Sequence, residues 1–329
     1  MTIAKILTGA AAALVLATPA FAEWPEKPIQ LIVPWGAGGA TDQVTRIVAE
    51  ELKGPLGQSV VVVNQPGASG SIGSQAAWDA AHDGYTWTAG AAKDLGTYAV
   101  TGKMDTAIED WDLYLNSALA SVISVPANSE IDDIDGFIAA LKAGGLRVGT
   151  SGVNSAGHST IESLAEAVGG AYVHASYDGG AAAVLSTVSG ETDATTQLIS
   201  EQMDMLRAGQ LKPIAIIADA DVDAPGVGTI PTISAALPDL PVAPIYFGLF
   251  MPADVPQEVK DKMQAAWGDV IANSAALAEY TEGRGSIMTV HSGADAQDKV
   301  RASIQSNAWL LHDSGQSAVS PETLGIARP

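Results

Sequence analysis

Two glycine-rich segments carry the chemistry this chain could perform on a small molecule. The first, Gly36-Ala37-Gly38-Gly39-Ala40-Thr41-Asp42, follows the apolar run Ile29 to Val33 and precedes apolar spacing at Val44, Ile47, Val48 and Leu52. That order predicts strand, loop and helix. Glycines let backbone N–H groups approach a ligand closely, and a helix start carries roughly +0.5 charge and four unpaired donors, so such a loop can hold a carboxylate. The second segment, Gly67-Ala68-Ser69-Gly70-Ser71-Ile72-Gly73, offers the same chemistry. Neither is a nucleotide fingerprint: Thr41 stands where a dinucleotide loop needs its third glycine, no P-loop lysine follows, and the second segment lacks the spacing. Each also reads as a tight turn between strand and helix, with Asp42 stabilising the helix start.

Catalytic constellations are thin. Gly149-Thr150-Ser151-Gly152-Val153 lacks the closing glycine of a nucleophile elbow, and no H-E-x-x-H occurs. The five histidines, His82, His158, His174, His291 and His312, show no metal-ligand spacing, and the absence of cysteine excludes disulfides, thiolate zinc sites and thiol nucleophiles. No catalytic residue, metal or cofactor is assigned. His158, near a helix start, has a functional case set against a structural hydrogen-bonding role. Trp35 can stack on an aromatic acid or pack between elements.

The elements that must position these loops repeat. Val60 to Val63 reads as a strand, Asn64 to Gly67 as a turn, the stretch through Ala76 to Ala80 as a small-residue helix and Thr86 to Ala89 as a strand, an alternation that implies a parallel sheet under covering helices. A second series begins after Pro126 with a helix near Asp132 to Lys142 and a strand from Arg147 to Thr150. A helix with Ile161, Leu164, Ala165 and Val168 on one face follows, its start read as a capping box at Ser159-Thr160-Ile161-Glu162. Strand Tyr172 to Ala175, helix Ala181 to Ser189, strand Ala194 to Gln197, helix Glu201 to Ala208 and strand Pro213 to Ala218 complete it. Asp221 to Pro244 reads as a proline-rich loop, after which strand Ile245 to Phe250 and helix Gln257 to Ile271 rejoin the first unit.

At 329 residues, 47% hydrophobic and 16% charged, the chain sits with folded globular proteins and is long enough to split into two units with a cleft between them. Lys5, the apolar run Ile6 to Ala17 and the small-x-small end Ala20-Phe21-Ala22 read as a signal peptide over residues 1–22. The mature protein is then expected to start at Glu23 as a soluble periplasmic protein. Formal net charge is −21, and loss of the leader removes one lysine and no acid, which makes nucleic acid and anionic lipid poor partners. Dispersed surface charge is screened beyond about 8 Å, so it does not decide the sign of a ligand held at contact.

Specific strings carry a family resemblance: WPEKPI from Trp24, IVPWGAGGATD over Ile32 to Asp42, LGQSVVVVNQPGASGSIG over Leu56 to Gly73, HDGYTW from His82 and GTSGVNSAGHS over Gly149 to Ser159. SYDGGAAAV from Ser176, SGETDA from Ser189, LRAGQLKPIAI from Leu206 and FGLFMPADVP from Phe247 follow in order. The chain resembles the Bug, or TctC-like, family of periplasmic solute receptors of tripartite tricarboxylate transporters. That resemblance implies an α/β, two-lobed type II periplasmic-binding fold with hinge crossovers, lobe 1 formed by residues 23–123 and 246–329 and lobe 2 by 124–245. It implies ligand contacts at Gly36, Ala37, Gly38, Gly39, Thr41 and Asp42, at Ser69 and Gly70, and in the second lobe at Ser151, Asn154, Ser155, His158, Tyr177 and Gly179. The implied partners are a small organic acid (a di- or tricarboxylate, an acidic amino acid or an aromatic acid) and a two-part membrane permease, with the receptor itself a monomer and not an enzyme. Asp178 replaces the family's usual lysine and Asn154 a common glycine, and Asp178 or Asp42 could instead favour a ligand carrying an amine. A hydrolase or lyase using the same cleft, or a receptor for a membrane sensor, are the competing readings.

Overall fold

β-branched residues at alternate faces make Ile29–Val33 a strand (β1), and in the computed structural model, which describes residues 23–329, its Ile29, Leu31 and Val33 are fully buried. Helix α1 (Ala40–Leu56) turns Val44, Val48 and Leu52 onto that sheet and stops where Gly57 adopts the left-handed conformation. The chain continues through β2 (Val60–Asn64), α2 (Ser71–Trp78), β3 (Thr86–Ala91), the single turn α3 (Ala92–Leu95) and β4 (Trp111–Leu119).

Two residues later β5 (Val122–Pro126) opens a second sheet, followed by α4 (Ile134–Ala143), β6 (Leu146–Thr150), α5 (Ala156–Val168), β7 (Tyr172–Ser176), α6 (Gly180–Val188), β8 (Ala194–Thr195), α7 (Ile199–Arg207) and β9 (Leu211–Ile216). A small hairpin, β10 (Val222–Ala224) and β11 (Gly228–Ile230), precedes β12 (Ile245–Pro252), which re-enters the first sheet. Helices α8 (Gln257–Asp269) and α9 (Ala275–Gly283), strand β13 (Ile287–Ser292) and helix α10 (Gly293–Asp313) close the chain.

The first sheet has the order β13-β4-β12-β3-β1-β2 and the second β7-β6-β8-β5-β9. Alternation along β4 and β12 feeds two cores: Tyr114, Leu249 and Met251 meet α1 and α8 on one face, whereas Leu113, Leu115 and Phe250 meet α3 and α10 on the other. The second sheet buries Val148 and Ile214 against Phe137 and Leu141 of α4 and Ile161 and Leu164 of α5.

Three expectations need correction. The sheets are mixed, with parallel pairing confined to β2-β1-β3 and β7-β6-β8, because the chain leaves the first sheet along β4 and returns along β12, and those two run antiparallel. Helix α5 starts at Ala156 and not at the Ser159 capping box, since Ser155 Oγ accepts the His158 N–H at 3.3 Å and caps the helix four residues earlier. The stretch read as loop from Asp221 contains the β10–β11 hairpin, whose Ala224 and Ile230 are buried beside Val122 and Ile199. The signal-peptide reading lies outside the described residues.

Candidate functional site

Strand β1 delivers residues 36–39 to the start of α1, where Gly38 takes φ 82° to aim the loop back over the helix. Asp42 is buried and already engaged: it accepts from the Gly38 N–H at 2.9 Å, Arg46 Nε at 3.0 Å and Asn64 Nδ2 at 2.9 Å. Burial alone would raise its carboxyl, but the bonds from Arg46, Gly38 and Asn64 hold it below the usual range. Its negative charge is spent on the loop rather than offered to an amine.

The second loop stands beside the first. A Cβ on Gly70, at φ 89°, would lie 2.6 Å from Tyr98 Oη and 3.0 Å from Trp35 Cζ2, so only glycine lets this loop seat against those rings. Tyr98 Oη donates to the Ser69 carbonyl at 2.9 Å. Trp35 is thereby packed against the loop as well as facing the cleft.

The second sheet's loops meet these across the cleft. The Gly36 N–H donates to the Asp178 carbonyl at 3.0 Å, Gly179 lies against Gly36, and a Cβ on Gly152 would fall 2.6 Å from Ser69 Oγ. Between the lobes remains a cavity of about 20 Å³, walled by Trp35, Gly39, Ala40 and Thr41 from the first lobe with Asp94 and Phe247, and by Ser151, Ser155, Ala156, Gly180, Gln197, Leu198 and Glu201 from the second. The starts of α1, α5 and α6 all open onto it. That volume admits about one water. A wider groove of about 610 Å³ runs between α5 and α10, where Leu240, Pro241, Ile245 and Leu310 contribute an apolar wall.

Of the residues expected at the site, Gly39, Thr41, Ser151 and Ser155 wall the cavity, while Gly36, Ser69, Gly70 and Gly179 shape its rim. Ala37 and Gly38 form the exposed tip of the first loop. Asn154 is not a cavity wall: at φ 76° it turns its amide to Thr97 and Asn307, which hold it at 3.0 and 2.7 Å. His158, in the first turn of α5, is not a cavity wall: its ring lies 4.5 Å from that of His174, and burial, then His174, Lys93 and Lys103, pushes its pKa down to about 3. Half-buried Tyr177 donates its N–H to the Thr150 carbonyl and is likewise absent from the cavity wall.

Three contributors were not predicted. Gln197 is 1% exposed, walls the cavity, and its Nε2 has no hydrogen-bond partner. A buried donor without a partner costs about 1–3 kcal/mol, so it is a group awaiting an acceptor. Glu201 Oε1 crosses the cleft to accept the Ala40 N–H at 3.3 Å, and desolvation, opposed by the Ala40 and Leu198 N–H groups, pushes its carboxyl up to about 7. Buried Lys93 donates to Asp94 at 2.7 Å and reaches the other lobe at the Asn154 carbonyl, 3.1 Å, and Ser159 Oγ, 3.2 Å. Local periodicity carries no signal for any of these. The partners that Glu201 and Lys93 find across the cleft are 61 to 161 residues away in sequence.

The family model for the tripartite tricarboxylate transporter family receptor, TctC, matches residues 44–306. The chain belongs to the TctC family. Among its relatives, BugT of Bordetella pertussis is 30% identical over 223 residues, spanning 65% of this chain and 68% of that protein. The fold matches the periplasmic binding protein BugD with a TM-score of 0.82 at 22% identity, covering 89% of this chain and 99% of BugD. It also matches MatC from Rhodopseudomonas palustris, solved with bound malate, with a TM-score of 0.78 at 21% identity over 88% of this chain and all of that one. The two-sheet architecture is therefore the periplasmic-binding fold of TctC receptors. No helix among the described residues is long and apolar enough to cross a membrane, and no group of three or more His, Cys, Asp or Glu among them is placed to hold a metal.

Proposed function

We propose that this TctC-family chain is an extracytoplasmic receptor that closes two lobes, residues 23–123 with 246–329 and residues 124–245, over a small organic carboxylate. It then presents the closed form to a two-part membrane permease. The supporting observation is that three helix starts, α1 from one lobe and α5 and α6 from the other, converge on one cavity where Gln197 Nε2 lacks an acceptor. Backbone N–H groups at helix starts and a neutral amide donor suit a carboxylate without any arginine cluster, which reconciles an anionic ligand with a net charge of −21. The malate held by MatC is a ligand of this chemical class. Periplasmic location after removal of residues 1–22 and a purely binding role complete the proposal, so an acid that binds is recovered unchanged after long incubation.

Calorimetric titration of the mature chain and of Gln197→Leu with the same acid tests this. Loss of the amide donor should weaken binding about tenfold, or about 1.4 kcal/mol. Equal affinities would remove Gln197 from the site, and consumption of the acid would replace the receptor with an enzyme.

A further inference from the structure

The Glu201 carboxylate sits where helix starts meet from opposite lobes. Its Oε1 accepts the Ala40 N–H at the start of α1, and a Cβ on Gly39 would stand only 3.4 Å from the same oxygen. On the other side a Cβ on Gly180, the first residue of α6, would fall 2.0 to 2.1 Å from the carboxylate, so glycine alone leaves room for it. Glu201 itself stands in the first turn of α7, from which a glutamate reaches back to its own helix start. No lysine or arginine lies within ion-pair distance of it among the described residues. A helix start attracts an anion, so a carboxylate hydrogen-bonded to the α1 start and packed against Gly180 of α6 makes the contact that the proposed solute would make.

We propose that Glu201 is a built-in competitor of the solute: its tethered carboxylate occupies the α1 start, draws the lobes together there, and must be displaced or crowded aside by an incoming acid. This deepens the receptor reading above and rests on it. The contact is intramolecular, so its effective concentration is set by the chain and an acid with a single weak carboxylate is at a disadvantage. Acids with two or more carboxylates, which gain further donors such as Gln197 Nε2 and the α5 start, are the class able to win the site. Glu201 is thus a specificity-determining residue, filtering against monocarboxylates.

The cysteine-free chain allows a direct test. Spin labels on Glu50→Cys of α1 and Leu185→Cys of α6, both exposed, report the distance between lobes without any acid present. Glu201→Ala should lengthen that distance relative to the labelled parent. In calorimetry it should bind malate at least tenfold more tightly and should narrow the preference for malate over acetate. Glu201→Gln keeps the side chain's shape and its reach to the helix start but not the charge, and guards against a folding defect; titrated at about pH 8, where the parent's Glu201 is ionised, it too should bind malate more tightly. An unchanged label distance together with unchanged or weaker malate binding in both variants would overturn the role of Glu201. If malate and acetate bind neither parent nor variant, the receptor reading loses its support while the label distance still decides whether Glu201 holds the lobes.

Discussion

Asn307 Nδ2 donates to Asn154 Oδ1 across 2.7 Å, tying α10 of the first lobe to the loop that starts α5 in the second. Thr97 completes the triangle, with its hydroxyl 3.0 Å from Asn154 Nδ2 and 3.1 Å from Asn307 Nδ2, and all three residues are buried. A buried polar network of this kind is stabilising only while each member keeps its partners.

Replacing Asn154 should therefore be costly, because Thr97 and Asn307 each lose one buried partner. Asn154→Gly keeps the φ of 76° without strain and should lose about 2 kcal/mol in urea unfolding. Asn154→Ala should lose about 1 kcal/mol more, since a left-handed backbone penalises a Cβ. Equal losses for the two variants would show that the backbone there is not strained.

Lys93 and Asp94 make a buried ion pair, 4% and 5% exposed, in which desolvation raises the Asp94 carboxyl against the pull of Lys93. Lys93→Met should destabilise by about 3–5 kcal/mol, because it strands a buried carboxylate. The double variant Lys93→Met, Asp94→Leu should recover part of that loss. A double variant no more stable than the single one would mean that the lysine's bonds to Asn154 and Ser159 dominate.

His158 and Glu201 oppose each other in acid. The folded state keeps His158 neutral down to about pH 3 against an ordinary value of 6.5, so the unfolded chain takes the proton first and stability falls as pH drops below 6.5, by about 2 kcal/mol between pH 6.5 and 5. Glu201, raised from 4.5 to about 7, works the other way: its contribution is full below 4.5 and is lost as pH rises toward 7, again by about 2 kcal/mol over the same window. These two contributions should thus nearly cancel in the parent between pH 5 and 6.5. Glu201→Gln should lose stability toward pH 5, and His158→Gln should lose it toward pH 6.5, both read by urea midpoints. Parallel profiles for all three proteins would contradict the two assignments.

Much of this architecture is legible in local pattern. The β-branched runs at Ile29 to Val33 and Val60 to Val63, and the facing residues Ile161, Leu164 and Ala165, specify their elements because each buries one side against its own neighbours. The glycines in the turns at 36–39 and 67–70 mark the rim of the cleft because Gly38, Gly67 and Gly70 take positive φ. Strand β4 is harder to read because buried polar Asn116 and Ser117 interrupt its apolar alternation. The spacing Ala296, Val300, Ile304, Ala308 and Leu311 does encode α10, but its small and polar neighbours dilute the stripe. What local pattern does not carry is the far wall of the site. Gln197, Glu201 and Lys93 acquire their roles only when the lobes approach, and Asn154, expected at the ligand, turns its amide toward Asn307 instead.

A small carboxylate received by the interlobe cavity must stabilise the closed fold. Thermal unfolding of the mature chain, stripped of any co-purified solute, against a series of dicarboxylates, tricarboxylates, acidic amino acids and aromatic acids tests it most directly. One class of acid should give a saturable rise, about 2.7 kcal/mol at a hundredfold excess over Kd and a few degrees in Tm for a chain of this size. A midpoint that no acid shifts at any concentration would contradict it.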